Sequence, residues 1–570
     1  MSDATIRSRQ PSVRRLPLAA PLRLARPSDM WFKPALSVVV ATAVPDLVLF
    51  AVDRLDLVMY TMAGSLCALY GHNLPYTRRA RAVAGVVVSM VIGLAISLVA
   101  ASLTGSTAVL IAVGAVLAAA QKTLCDATRI GPPGPVIFTF VTSAALFAPQ
   151  RLSQVPGHLA LTLAAGAIAW LVTAGPALVR REGPERRATA RALDAAAAYL
   201  ADPGHRTRHA AAAAVHGAWQ TLLAAGRPTP VRQALERLVV HAEAALGAFP
   251  DVPAPASAPV PAPDRLRAWA RQARARGPVP TPPSARGASE ELLGIEAERA
   301  ARRGGSRREA RRALLRSLAP GSPLLPIGAR ALVGCALAGY VSQAAGVGRP
   351  YWAIVTAASL YQANVTLSWN RALQRTLGNL LGVLVFAAVL PVSRTGPLAL
   401  IGFCLFFGFA AEALITRNYW LGSVAVTPMA LLVLEFGGTH PAAGELIGDR
   451  VLDTVIGAGV GLLAAMLVTN RRAAGRLEKA LAATDLARAH AVHALAAPQP
   501  TPAALDAARR RLTGSLVELR EADETAAGEW WQRALPQEQV LAAEQAGHRT
   551  LAATATRRGS IARAPENGAV

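Results

Sequence analysis

Two stretches of this chain place charge within apolar sequence. Arg371, Arg375, Gly378 and Gly382 recur at steps of four, three and four, a spacing that puts all four on one face of a helix. Asp449, Asp453, Gly457 and Gly461 recur at steps of four and form a second stripe. Glycines at such positions permit close helix contact, and charges on the same face then point into a bundle. An anion crossing a low-dielectric path needs a nearby cation, because an unpaired buried ion is very costly. Arg371 and Arg375, with Arg79 as the counterpart of Arg371 earlier in the chain, are the candidates for attracting a carboxylate. A proton-coupled exporter also needs a titratable group. Glu412 and Asp453 lie inside apolar segments, while Asp46 and Glu435 lie nearer segment ends. The plainer reading makes the arginines end charges that reach the surface, the glycines packing residues, Glu412 a partner of Arg417 and His158 structural.

No other chemistry competes with this. The chain has no G-x-x-x-x-G-K-[ST] loop, no H-E-x-x-H, no G-x-S-x-G and no Cys/His metal cluster, so neither an enzyme nor an ATP-driven pump is expected, and no cofactor or metal. Gly457-Ala-Gly459-Val-Gly461 resembles part of a dinucleotide loop but falls in an apolar segment. Cys67, Cys125, Cys335 and Cys404 lack metal-like spacing and read as free buried thiols.

The elements that position the charges are apolar. The 570 residues are 53% hydrophobic and only 16% charged, against about 25% charged in soluble domains. This excludes disordered, collagenous and disulfide-rich secreted classes. Twelve spans fit, at 33–51, 56–73, 82–103, 106–121, 132–149, 157–179, 326–345, 351–367, 376–392, 397–415, 419–436 and 449–469. Each approaches the ~20 residues needed to cross a bilayer, with 56–73 and 106–121 the shortest fits. Clusters such as Arg78-Arg79-Ala-Arg81, Arg180-Arg181 and Arg471-Arg472 fall on one side of that topology, which predicts cytoplasmic termini in the plasma membrane. The first span is long and lacks a small-residue cleavage site, so no cleavable signal peptide is expected. The two sets of spans are offset by about 292 residues, with Pro34 meeting Pro326, Arg79 meeting Arg371 and Thr162 meeting Thr454. An even number of spans per copy predicts a parallel repeat about an axis along the membrane normal.

The expected organisation is therefore an all-α integral membrane protein with two parallel-repeat six-helix bundles. It runs as an N-terminal cytoplasmic segment (1–30), a first block (31–179), an Arg-rich cytoplasmic helical domain (180–323), a second block (324–469) and a C-terminal helical region (470–570). Helices are expected near 184–226, 228–249, 288–318, 471–497 and 502–533, with Pro-rich linkers at 250–263 and 277–283 and a frayed tail. The net charge of +24 fits positive-inside bias and attraction to anionic membrane lipids. No aromatic-interleaved basic motif points to nucleic acid.

The segments Tyr351-Trp352-Ala-x-x-Thr356, Arg371-x-x-x-Arg375-Thr-x-Gly378-x-x-x-Gly382 and Asp449-Arg450-x-x-Asp453-Thr-x-x-Gly457 resemble the FUSC family of fusaric acid resistance protein-like membrane proteins. Arg78-Arg79-Ala-Arg81 and Gly85 match its pattern more weakly. The resemblance implies an inner-membrane efflux protein, with aromatic carboxylic acids as the best-known substrate class. The segments are also similar to plant aluminium-activated malate transporters, anion channels that carry one six-span block and pair as dimers. The expected function is thus proton-driven export of aromatic or other organic acids. A passive anion channel, or a membrane scaffold built on the Arg-rich domain, is the alternative. The expected partners are lipids and the acid, with a homo-oligomer or a periplasmic adaptor left open.

Overall fold

The computed structural model describes residues 18–24, 31–179, 181–226, 228–246, 261–282, 324–437, 442–467, 472–529 and 536–561, with isolated positions between 292 and 322. Backbone in an apolar run must satisfy its own hydrogen bonds, and helix does so within one segment. The first block forms α1 (Phe32–Ala51), α2 (Val58–Ser65, extended by a 3-10 turn at Leu66–Leu69), α3 (Tyr76–Leu103), α4 (Thr107–Thr128), α5 (Pro135–Leu146) and α6 (Val155–Ala174, followed by a turn at Pro176–Val179). Outside the apolar blocks come α7 (Gly183–Ala201), α8 (His205–Ala224), α9 (Pro230–Leu246) and α10 (Pro263–Arg274). The second block forms α11 (Leu325–Ala344), α12 (Tyr351–Leu360), α13 (Val365–Ser393), α14 (Pro397–Ile415), α15 (Tyr419–Glu435) and α16 (Ala443–Leu467). Then follow α17 (Arg472–Ala496), α18 (Pro502–Ala527) and α19 (Gln537–Ile561).

Among the described residues, eight helices are long and apolar enough to cross a membrane, and the α2, α5, α12 and α15 segments are shorter. Twelve full spans therefore become eight long helices and four short apolar ones. Both blocks run long, short, long, long, short, long. The short members lie inside the fold: every residue of α12 is buried. The expected span 351–367 breaks because Tyr361 turns to extended backbone and the Asn364 side chain caps α13, accepting from Leu367 N at 2.9 Å. The expected short span 106–121 is instead a 22-residue helix. Lys122 and Asp126 pair at 2.8 Å one turn apart, and Gln121 turns inward, donating to Thr142 at 3.2 Å. Polar residues thus carry that helix past its apolar run.

The two blocks pack by one scheme. In the first, α1, α2 and α3 rest on α6, while α3 and α4 rest on α5. In the second, α11, α12 and α13 rest on α16, while α13 and α14 rest on α15. Between blocks, α1 meets α14, α4 meets α11 and α5 meets α12. Two close approaches fix the short helices in place. A Cβ on Gly64 of α2 would stand 2.2 Å from the Thr162 carbonyl oxygen, and one on Gly457 of α16 would stand 2.7 Å from that of Ala353.

The extramembrane helices form two bundles. Leu193, Leu222, Leu238 and Leu266 centre one core, to which Val517 of α18 contributes. The region expected as one helix over 184–226 breaks at Asp202–Gly204, and α10 forms between the two expected linkers, where no helix was expected. Most of the expected helix 288–318 and most of the linker 250–263 lie outside the described residues. Past Pro536 the chain is helical to Ile561, where a frayed tail was expected. Val540 and Leu551 bury themselves against α17 and α18, tertiary burial that this polar sequence did not signal.

The end of α18 grips the second block. The Gly528 carbonyl accepts from Thr366 N at 3.0 Å and from Thr366 Oγ1 at 2.9 Å, and Glu529 meets Arg330 of α11 at 3.5 Å. Burial pushes the Glu529 carboxyl up from 4.5, with Arg330 and Arg476 offsetting part of the rise. A raised carboxylate binds its proton more tightly when docked than when free. Its contribution is complete below pH 4.5 and is lost as pH rises through the docked value. Amide-exchange protection of the α18 end, corrected for intrinsic pH dependence, is therefore expected to fall as pH rises from 4.5 towards neutrality. Glu529→Gln should flatten that profile; a wild-type profile rising over the same window would refute the assignment.

Candidate functional site

Several charged residues of the second block converge on a buried polar column between α12, α13, α15 and α16. At one end the Arg371 guanidinium lies 3.8 Å over the Tyr419 ring, and Arg375 Nη1 donates to the Tyr419 hydroxyl at 2.9 Å. Arg375 is buried and its Nε has no partner. One turn further along α13, Asn379 Nδ2 donates to Thr454 Oγ1 of α16 at 3.0 Å, and its Oδ1 accepts from Thr427 of α15 at 2.8 Å. The stripe of glycines makes this approach possible. A Cβ on Gly378 would stand 2.6 Å from the Trp420 carbonyl oxygen, and one on Gly382 would stand 2.6 Å from Thr427 Cβ. Gly461 faces Ala357 and Leu360 at 3.1 Å in the same way.

From Thr454, the column continues back along α16. Asp453 is fully buried; its Oδ1 accepts from Ser342 of α11, and its Oδ2 has no partner. Arg450 is also buried, with its guanidinium 3.9 Å over the Trp352 ring. Its Nε and Nη1 are both without partners. Trp352 is braced by Tyr351 at 4.8 Å and, from the first block, by Phe140 at 5.7 Å. The column ends at the Arg349–Asp449 pair, 3.0 Å apart and partly exposed. α13 and α16 run in opposite directions, because α12 runs beside α16 and α13 continues from the far end of α12. Arg375 and Arg450 each lie four residues from the Asn379–Thr454 contact, about 6 Å to either side at 1.5 Å per residue.

The other candidates lie elsewhere. Arg79 closes the chain end after α2, donating to the carbonyls of Gly71 at 2.9 Å, His72 at 2.6 Å and Leu74 at 3.2 Å. Gly71 holds a positive φ of 76° there. Glu412 is half-buried on α14, which packs chiefly on α1 and α15, and is not hydrogen-bonded to the column. Asp46 is fully buried on α1, with an unpartnered Oδ1, beside a small apolar cavity at the α1–α14 contact. Glu435 pairs with Arg394 at 2.9 Å. His158 stacks on Tyr60 at 3.7 Å. Its position and that of Tyr60 are those of Arg450 and Trp352 at the same offset, so both blocks hold a ring-stacked pair at this point. All four cysteines are free and buried, and no group of three potential metal ligands occurs among the described residues.

Residue types and spacing did not single out Arg450, Trp352, Asn379 or Ser342. The expected span begins at 449, which puts Arg450 at its very end, whereas α16 starts at Ala443 and carries Arg450 inside the helix. The available signal was its position three residues before Asp453, on the same helical stripe.

Over the Arg371 end lies the segment Ala20–Leu22. The Pro21 carbonyl accepts from Gln374 at 2.7 Å and Asn418 at 2.8 Å, and Arg23 O accepts from Asn418 at 2.8 Å.

Apolar helices long enough to cross a membrane, with ions buried among them, define a multi-pass helical membrane protein. Residues 337–464 match the family model described as fusaric acid resistance protein-like, the segment that contains Trp352, Arg375, Asn379, Arg450 and Asp453. The chain is 30% identical, over 187 residues, to the uncharacterized membrane protein YvaC of Bacillus subtilis (strain 168). That match covers 32% of this chain and 28% of the relative, so the chain spans under a third of the relative's length. No solved structure matches.

Proposed function

We propose that this protein is a proton-driven exporter of aromatic or other organic acids, with both termini in the cytoplasm of a cell whose plasma membrane it spans. The two blocks act as parallel repeats, and the column of the second block forms one wall of the pathway. The observation that carries this reading is Arg450, a fully buried guanidinium stacked on Trp352 with two nitrogens unpartnered. A buried cation without a full set of acceptors is costly, and a carboxylate would complete the set. An aromatic acid would also find ring faces at Trp352, Tyr351 and Phe140. Asp453, three residues along the same helix with a free Oδ2, is the group that would exchange a proton as the acid arrives or leaves.

The test is flux in proteoliposomes with benzoate and malate, with and without a pH gradient. Gradient-driven accumulation is expected for the wild type. Asp453→Asn should lose accumulation and keep downhill flux, and Glu412→Gln, off the column, should keep both. A passive organic-anion channel is the second reading, favoured by four arginines against two carboxylates along the column. Current or downhill flux indifferent to the gradient would select it over the exporter.

A further inference from the structure

A second charged feature lies away from the column, where the first block meets the extramembrane helices. A cavity of about 710 Å³ opens between the starts of α1, α3 and α7 and the loop after α10. Lys33, Arg181, Arg186 and Arg276 line it, against Glu182 as the single acidic lining residue among the described residues. Arg186 donates to the carbonyls of Ala275 at 3.1 Å and Gly277 at 3.0 Å. That bond ties the loop after α10 to the first turn of α7 and holds Arg276 over the opening. Arg181 and Arg276 are exposed.

Apart from the buried Tyr76, the rest of the lining is apolar. Leu178 and Val179 are each 86% exposed beside these cations, and Phe32 is exposed at the head of α1. Below Phe32, Leu36, Val40 and Val44 continue an exposed apolar stripe at steps of four down α1, and Leu171 does the same on α6. Surface of this kind belongs against acyl chains rather than water. Basic pockets directly above lipid-facing helix surface suit the phosphate of an acidic lipid, with the field of the anionic leaflet adding to the local cations.

We propose that this cavity binds the headgroup of an anionic phospholipid from the leaflet facing the extramembrane helices. The phosphate lies among Arg181, Arg186 and Arg276, and the acyl chains run down the stripes of α1 and α6. The lipid thereby joins the membrane block to the bundle of α7–α10. A soluble anion would gain the cations but leave Leu178, Val179 and the α1 stripe uncovered. This inference does not depend on what the column transports.

The experiment uses the full chain in detergent. Native mass spectrometry would titrate phosphatidylglycerol, phosphatidylcholine of the same chains and inorganic phosphate. Phosphatidylglycerol should bind at least tenfold more tightly than phosphatidylcholine, and phosphate alone should not displace it at millimolar concentration. Arg181→Ala with Arg276→Ala changes two exposed side chains, so the protein should fold, and it should lose about tenfold in phosphatidylglycerol affinity with phosphatidylcholine binding unchanged. Equal binding of the two lipids, an unaffected double variant, or displacement by free phosphate would each overturn the proposal.

Discussion

Replacing Arg450 with Gln should reduce acid flux by about 10- to 100-fold while the protein still reaches the membrane. The guanidinium is the column's most deeply placed cation and rests on Trp352 at 3.9 Å. A charged hydrogen-bond partner for substrate contributes roughly 1.5–3 kcal/mol, which at about 1.4 kcal/mol per tenfold predicts a loss of about 10- to 100-fold. The cation–π contact with Trp352 holds the guanidinium in place with or without substrate, so its loss acts on positioning and stability. Arg450→Lys separates charge from shape: it keeps the charge but loses the planar fork and the stack. It should therefore retain folding and fall between wild type and Arg450→Gln. Trp352→Leu should resemble Arg450→Lys, because it removes the platform and leaves the charge. The comparison variant is Arg79→Gln, whose loss should appear in stability, since Arg79 spends its donors on three backbone carbonyls. Flux within about twofold of wild type for Arg450→Gln, at equal amounts of protein in the liposome, would remove Arg450 from the pathway.

The contrast between Arg79 and Arg450 marks what the chain discloses before it folds. Apolar blocks, their sixfold division and the glycine stripes are local patterns, and Gly378, Gly382, Gly457 and Gly461 do meet neighbouring helices closely. Helix length is less local. The segment 351–367 reads as one apolar run, yet a turn at Tyr361–Asn364 divides it, because Asn364 caps the next helix and Thr366 is held by Gly528 from over 160 residues away. The role of an arginine is the least local feature of all. Arg79 and Arg371 occupy matching positions in the two blocks, but one meets backbone carbonyls and the other a tyrosine ring. That difference arises from Gly71 at positive φ in one case and from Tyr419 on a neighbouring helix in the other. Arg79's partners lie five to eight residues before it and depend on the local turn, whereas Tyr419 cannot be inferred from the surroundings of Arg371 in sequence.

The largest stability effect is expected at the joint between the extramembrane bundles. Arg509 of α18 lies 2.9 Å from Glu243 of α9 and 3.3 Å from Asp506 on its own helix, with all three buried. Glu243 also accepts from Trp219 of α8 at 3.2 Å. Burial alone would lower the Arg509 pKa, but Glu243 and Asp506 outweigh it and raise the value, so the guanidinium stays charged at any physiological pH. Arg509→Ala would remove the cation from between two buried carboxylates. Breaking a buried ion pair by removing one partner costs about 3–5 kcal/mol, far more than the ~0–1 kcal/mol of an exposed pair. Amide exchange in α8, α9 and α18 should report that loss as local opening, while the helices of the two membrane blocks remain protected. Adding Glu243→Gln and Asp506→Asn to Arg509→Met should recover most of it, because a joint emptied of charge no longer carries an unpaired ion. Single-variant opening within about 1 kcal/mol of wild type would mean that water reaches the joint and the two bundles are held together by apolar contacts such as Val517 alone. Recovery in the triple variant would instead locate the penalty in the two carboxylates that lose Arg509, which makes the pair a device for fixing how the bundles meet more than a source of net stability.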